Sequence, residues 1–377
     1  MQRLGVMQVI DTLVAAGAER VAVNIANALP RDRYVPYLCT TRADGPLDRA
    51  LASDVIRLRL QRSSRFDVAG IARLASFIRQ HRIGVLHAHS SAVFIARVAA
   101  GFAGNVKVIW HAHYGRYVEH RRPLLYRVAT RRIGAVITVN QQLADWCINR
   151  LQVRPGRVNY IPNPVAAMND DGPVPQLPGP KGARIVAVAN FRPEKDHFTL
   201  LRAMTQVVNA VPQAHLLMAG KTNDADYLEG VRRVIVELGL QQSVTILGER
   251  HDVPAILRQC DIGVLSSVSE GLPMSLLEYG MAGLPAVATE AGQCAEVLNQ
   301  GLAGILVPTS DSDRLASGMI SLLQRPETRA KLGARLHAFV NRKYSAERIV
   351  GEIAEVYDAV TGWNRPRPPS FARGMAI

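Results

Sequence analysis

Short apolar runs of strand length alternate with amphipathic segments of helical period along nearly the whole chain, and the alternation occurs in two series. In the first, residues 4–10, 35–39, 85–87, 107–111, 135–139 and 158–161 read as strands, and 18–29, 68–81, 93–103, 123–131 and 141–151 read as helices. In the second, strands fall at 184–190, 214–219, 244–247, 262–265, 286–288 and 304–307, with helices between them and two more from 313 to 340. Apolar runs separated by helices bury both sheet faces, so each series predicts a parallel, doubly wound α/β sheet. The stretch 166–182 is Pro-, Gly-, Asn- and Asp-rich without periodicity and reads as a linker. Residues 346–361 are expected to form a terminal amphipathic helix, and 362–377 a loosely ordered tail. Ligands of such folds sit beyond the carboxyl ends of the strands, so the cleft between the domains is the expected site.

Cys39, Cys147, Cys260 and Cys294 are dispersed with no C-x-x-C pair, which argues against a disulfide framework or a Cys-based zinc site. The longest membrane-span candidate, 92–106, is interrupted by Arg97. The opening MQRLGVMQVIDTL has too short an apolar core for a signal peptide and meets Asp11 early, so a cytoplasmic location is expected. Charge is uneven. Residues 1–165 hold 24 of the 45 Lys+Arg but only 9 of the 31 Asp+Glu, a net +15 that leaves −1 for the rest. A basic surface confined to one domain suits a polyanion, either nucleic acid or an anionic membrane face, although arginine-rich codon usage produces the same count.

The most informative stretch runs from Ser269 to Pro285, SEGLPMSLLEYGMAGLP. Gly271 and Pro273 open a helix, because proline is tolerated where no amide donor is needed. That helix start offers the free amides of Met274 and Ser275 to a diphosphate, beside Leu272. Glu278 lies one turn on, about 6 Å along the axis and within reach of the ribose of the same nucleotide. Glu270, on the preceding loop, faces the opposite end of such a ligand. As surface residues, the same glutamates would only complement a helix dipole and a solvated face. After the strand 184–190 come Arg192 and Lys195, cations placed to stabilise a leaving diphosphate without a metal, or else a solvated helix entry. Gly17 follows the first strand, where a bare backbone lets a phosphate or acceptor approach.

His87, His89, His111 and His113 cluster at two strand ends. Their H-x-H spacing, with no nearby carboxylate, does not form a helical zinc pair, and no metal is expected. Residues 115–132 hold six arginines, Arg116, Arg121, Arg122, Arg127, Arg131 and Arg132, beside Tyr117, Leu124, Leu125, Tyr126 and Val128. A basic amphipathic helix of this kind suits an anionic leaflet.

Taken in order, the motifs Gly17-Ala18-Glu19-Arg20, His111-Ala112-His113, Ile161-Pro162-Asn163, Arg192-Pro193-Glu194-Lys195, Gly248 before Asp252-Val253-Pro254, and the Glu270–Pro285 block resemble the retaining glycosyltransferases of family 4, over nearly the whole chain to about Tyr357. The resemblance implies the GT-B fold: an acceptor-side Rossmann-like domain (1–165), a nucleotide-sugar-binding domain (183–345), and a terminal helix that packs back on the first. It implies that Glu278 binds the donor ribose, that Glu270 contacts the donor sugar near the reacting carbon, and that Gly17, Gly248, Gly271, Leu272, Met274 and Ser275 line the donor. It also implies an active-site histidine at the end of the fifth strand, His113 or alternatively His111, with His89 on the acceptor side. Two departures stand out: Ala16 replaces the first of two glycines, and Ala189-Asn190 replaces a Gly-Arg pair, so that either Arg192 supplies the second cation or that cation is missing. The expected activity is metal-independent transfer from a UDP- or GDP-sugar to a saccharide or lipid-linked hydroxyl in envelope or exopolysaccharide synthesis, without a cofactor, at the inner face of the membrane. The alternatives are a sugar-nucleotide epimerase, or a nucleic-acid binder, against which stands the absence of any helix-turn-helix, RNP-like or zinc-finger pattern.

Overall fold

The computed structural model describes residues 3–14, 17–64, 67–113, 123–165, 175–222 and 224–363. The chain forms two compact units, Met1–Pro164 with Ala346–Ile377 and Val165–Ser345. The first holds strands β1 (Leu4–Ile10), β2 (Tyr34–Thr40), β3 (Ile56–Arg59), β4 (Ile83–His89), β5 (Lys107–Ala112), β6 (Ala135–Thr138) and β7 (Val158–Tyr160). All pair in parallel, in the order β3-β2-β1-β4-β5-β6-β7. Helices α1 (Gly17–Ala28), α2 (Val68–Gln80), α3 (Val93–Ala103), α4 (Pro123–Thr130) and α5 (Gln141–Asn149) connect them. Capping fixes two starts: the Asp67 side chain accepts from Gly70 N and that of Asn140 from Leu143 N, each at 2.8 Å.

β3 does not stand out in the sequence because its alternate residues are Arg57 and Arg59. It is a sheet edge, and both arginines pair with Asp44 and Asp48 rather than entering a core. Charge on an edge strand blocks further pairing, which is why periodicity alone misses it.

The second unit builds β8 (Arg184–Val188), β9 (His215–Ala219), β10 (Val244–Gly248), β11 (Ile262–Leu265), β12 (Ala286–Thr289) and β13 (Ile305–Val307) into a parallel sheet of order β10-β9-β8-β11-β12-β13. Helices α6 (His197–Ala210), α7 (Ala225–Glu237), α8 (Val253–Leu257), α9 (Met274–Met281), α10 (Cys294–Val297), α11 (Ser312–Gln324) and α12 (Pro326–Tyr344) complete it. The expected linker is corrected in its second half. Leu177 packs on this unit's core, and the Arg184 guanidinium donates to the carbonyls of Leu177, Pro178 and Gly179 at 2.8–3.1 Å, so 177–182 belong to the second unit. Residues 166–174 and the tail from 364 lie outside the described residues.

The last helix, α13 (Ala346–Thr361), returns to the first unit. Ile349, Val350, Ile353 and Tyr357 share a core with Val6, Val85, Ile109 and Ile137 on one face of its sheet. The opposite face carries Met7, Leu86, Trp110 and Val136 under α2, α3 and α5. Period-two alternation along β1, β4 and β5 therefore turns Gln8, His87, His89 and His111 toward the α13 side.

Candidate functional site

In the second unit, the turn after β8 and the loop after β11 are tied together by backbone and side-chain bonds. Val268 N donates to Glu194 O at 2.9 Å, and Ser266 Oγ to Lys195 O at 2.9 Å. Asp196 takes a left-handed conformation (φ 45°) and caps α6 by accepting from Thr199 N. This sharp turn holds Lys195 Nζ 2.5 Å from Glu270 Oε1, which also accepts from Ser267 Oγ at 2.7 Å. Glu270 is 8% exposed and Lys195 22%, so the pair is largely desolvated, and breaking it would leave an uncompensated charge. An ammonium has three protons, so Lys195 keeps donors for a ligand. Arg192 is half-buried and makes no ion pair among the described residues.

The glutamate loop is seated by its neighbour. Gln293 N donates to Gly271 O at 3.1 Å, and Gly292 (φ +52°) passes so close that a Cβ would lie 2.0 Å from Glu270 O. No other residue fits there. α9 then starts at Met274, with Pro273 as its cap residue, so the opening lies just beyond the expected proline. Pro273 O accepts from Leu276 and Leu277 N, leaving the amides of Met274 and Ser275 at the positive end of the helix dipole. Ser275 is buried and Glu278 is half-buried on the same helix. Tyr279 anchors α9 by accepting from Val188 N at 2.8 Å. Gly248 ends β10 at φ +70°.

In the first unit, the four histidines form two hydrogen-bonded pairs. His87 Nε2 lies 3.1 Å from His111 Nδ1, and His89 Nδ1 lies 2.8 Å from His113 Nε2. The rings of each pair are nearly coplanar, within 11° and 13°, and the pairs face each other with centroids 4.7 Å apart at His87–His89 and 4.0 Å at His111–His113. Gln8 Oε1 lies 2.8 Å from His89 Nε2, and Tyr357 Oη 2.6 Å from His87 Nδ1. Burial pushes His87 and His113 down to about 3, the neighbouring Asn163 opposing the shift at His113, and holds His89 and His111 well below 6.5. All four rings are neutral at physiological pH. His87, His89 and His111 nitrogens lie within 4.8 Å of one another, but both nitrogens of His87 and of His89 already hold hydrogen bonds, so an ion would have to displace them.

The expected site residues thus gather in two groups. Arg192, Lys195, Gly248, Glu270, Gly271, Leu272, Met274, Ser275 and Glu278 lie in the second unit, and Gly17, His89 and His113 in the first. Gly17 opens α1, and a Cβ there would meet nothing within 4 Å, so its own fold does not require glycine. His89 is corrected: it is 1% exposed with both nitrogens engaged, so it supports His113 instead of facing an acceptor. Arg127 is half-buried and bonds to Gln152, while Arg131 is exposed; Arg116, Arg121 and Arg122 lie outside the described residues. α4 turns Tyr126 inward against Trp110 and leaves Leu124, Leu125 and Val128 exposed by 69, 53 and 58%. The sequence reading missed Gln8, Tyr357 and Ser267. Gln8 had a signal, being the one polar residue in an otherwise apolar strand.

Residues 15–167 match the family described as Glycosyltransferase Family 4, and 175–337 match Glycosyl transferases group 1. The chain is 24% identical to an Escherichia coli UDP-Gal:alpha-D-GlcNAc-diphosphoundecaprenol alpha-1,3-galactosyltransferase, covering 81% of this chain and 84% of that one. It is 28% identical to a Corynebacterium glutamicum GDP-mannose-dependent monoacylated alpha-(1-6)-phosphatidylinositol monomannoside mannosyltransferase over 74% and 77% of the two chains. Anabaena HepE, solved in complex with UDP and glucose, superposes with a TM-score of 0.76 at 21% identity, covering 94% of this chain and all of that one.

Proposed function

The chain belongs to glycosyltransferase family 4 and has its GT-B fold, and from that premise we propose a retaining, metal-independent transferase that moves a hexose from a UDP- or GDP-sugar to a hydroxyl of a lipid-linked saccharide. The Lys195–Glu270 ion pair, held by Ser267 beside the start of α9, carries this reading. It gives a fixed cation and a run of free amides for a diphosphate whose negative charge grows as the glycosidic bond breaks, which is where preorganised donors lower the barrier most. In this reading, Glu278 accepts from the ribose hydroxyls, Arg192 supplies a second cation, and Glu270 both orients Lys195 and faces the donor sugar. Gly17, Gly248, Gly271 and Leu272 line the donor, and His113 touches its sugar. No cofactor takes part.

A diphosphoundecaprenol-linked acceptor for the E. coli relative and a phosphatidylinositol mannoside for the Corynebacterium relative support a lipid-linked acceptor. The exposed leucines of α4 and the +15 charge of residues 1–165 support docking on an anionic leaflet at the inner face of the membrane. No helix among the described residues is long and apolar enough to cross a membrane. The test is a thermal-shift panel of uridine, guanosine and adenosine diphosphates with their sugars, followed by proton NMR of the product anomer formed in EDTA. A ligand at 100 times its Kd stabilises by about 2.7 kcal/mol. An inverted anomer, or transfer that requires a divalent ion, overturns the mechanism. Isomerisation of the donor without acceptor would favour the epimerase alternative.

A further inference from the structure

The chain passes from one unit to the other twice, after Pro164 and after Ser345. Both crossings leave the second unit side by side: Val165 and Ser345 form a parallel bridge, and Val165 N donates to Tyr344 O at 3.0 Å. Tyr344, the last residue of α12, is fully buried in one apolar cluster with Val165, with Val297 of α10 and with Leu276 and Leu277 of α9. Its hydroxyl donates to Glu296 Oε1 at 3.2 Å, and the same oxygen accepts from Lys343 Nζ at 2.8 Å. The other carboxylate oxygen, Glu296 Oε2, accepts from Gln293 Nε2 at 2.9 Å. Gln293 is also the residue whose amide seats the Gly271 carbonyl, next to Gly292 packed against Glu270. Within the second unit, then, one half-buried carboxylate joins the glutamate loop to the crossings. An ionised carboxylate has room for all three donors. Filling the apolar cluster would need only phenylalanine at 344, whereas the hydroxyl adds a directional bond that fixes where the end of α12 lies.

We infer that Glu296 is a positioning residue: through Gln293 on one side and Tyr344 on the other, it ties the Glu270–Gly271 loop to the two points where the chain leaves the second unit. A diphosphate held by that loop and α9 therefore also steadies Val165 and Ser345, because ordering one end of a linked chain lowers the cost of ordering the other. The next residues, Pro164 and Ala346, belong to the first unit, so the effect reaches the chain on which that unit is carried. Glu296 itself touches no substrate in this arrangement. The inference rests on the proposed donor site, and its test separates the two.

Amide hydrogen exchange of the full chain, read residue by residue by NMR with and without UDP or GDP, tests the link. In wild type, nucleotide should slow exchange at Met274, Ser275 and Gln293, and also at Val165, there by about tenfold. Tyr344→Phe and Gln293→Met each cut one arm of the link while leaving the backbone bond to Gly271 and the apolar cluster in place. In both, nucleotide should still protect α9 but no longer Val165, and the double variant should do no more than either single one, since the two arms act in series. Protection of α9 without Val165 in wild type overturns the inference, as does protection of Val165 that survives both variants, which would mean that apolar packing carries it. If neither nucleotide protects α9, the donor site is wrong, and the link is then decided in the free chain: Tyr344→Phe must speed exchange at Gln293, and Gln293→Met at Val165, and disturbance confined to each variant's own neighbours overturns it. For transfer, both variants should lower kcat by about 2–30-fold with nucleotide Kd unchanged, because the donor is held within the second unit whereas transfer also needs the first. Full kcat in both overturns the positioning role.

Discussion

The two units share one architecture but hold buried polarity in opposite ways. The first keeps four imidazoles neutral, stacked and hydrogen-bonded under α13, with no ion pair among them. The second places a charged pair, Lys195 and Glu270, at the mouth of its sheet. The difference follows from where the groups sit. The histidines lie on a sheet face covered by a helix, where a charged ring would pay full desolvation, whereas Lys195 stands on a turn with part of its surface in water. A doubly wound sheet thus holds neutral polar rings on its covered face and fixed charge on a turn beyond its strand ends.

The strongest way to break this contrast is to remove the fixed charge. Lys195→Ala should lower kcat by about 10²–10³, or about 2.7–4 kcal/mol, in single-turnover assays run in EDTA. It should also strand the Glu270 carboxylate, so the stability of the variant must be measured alongside. An unchanged kcat would mean that the pair is structural. Next comes Glu278→Ala. Losing charge-assisted bonds to ribose, each about 1.5–3 kcal/mol, should weaken nucleotide binding at least tenfold by calorimetry while leaving the histidine spectra of the first unit untouched.

Acid should separate the units more gently. In the unfolded chain the four histidines charge near 6.5, but in the folded first unit they stay neutral far below that, His87 and His113 down to about 3. Protons therefore bind the unfolded state preferentially. The stability these rings allow is complete above pH 6.5 and is lost as pH falls toward 3, at about 1.4 kcal/mol per pH unit for each ring that takes up a proton only on unfolding. In the second unit, His197 is pushed down to about 4 and His215 is lowered as well, a smaller set. Hydrogen exchange between pH 7 and 5 should accordingly show the first unit opening first, and equal opening would mean that the cluster admits protons while folded. The smallest effect is expected on α4 and the turn that follows it. Arg131→Gln should cost about 1 kcal/mol of binding to anionic vesicles at low salt and nothing on neutral ones, measured by flotation. Leu124→Ser should weaken binding to both, because it removes apolar area and no charge.

Much of this was legible in the residues. Alternating runs marked twelve of thirteen strands, and the Ser269–Pro285 block located helix α9, which begins one residue after Pro273 and carries Ser275 and Glu278. The missed strand, β3, was hidden because its alternate arginines are satisfied by Asp44 and Asp48, which is a tertiary fact. The pairing of Lys195 with Glu270 spans 75 residues and depends on a left-handed turn at Asp196, so local pattern could name both residues but not their contact. The histidines show the limit most clearly. Their H-x-H spacing placed each pair on one face of a strand, because side chains alternate with period two. That Gln8 from β1 and Tyr357 from α13, 349 residues apart, meet the rings of His89 and His87 was decided by the tertiary packing, because no local pattern brings the first strand against the last helix.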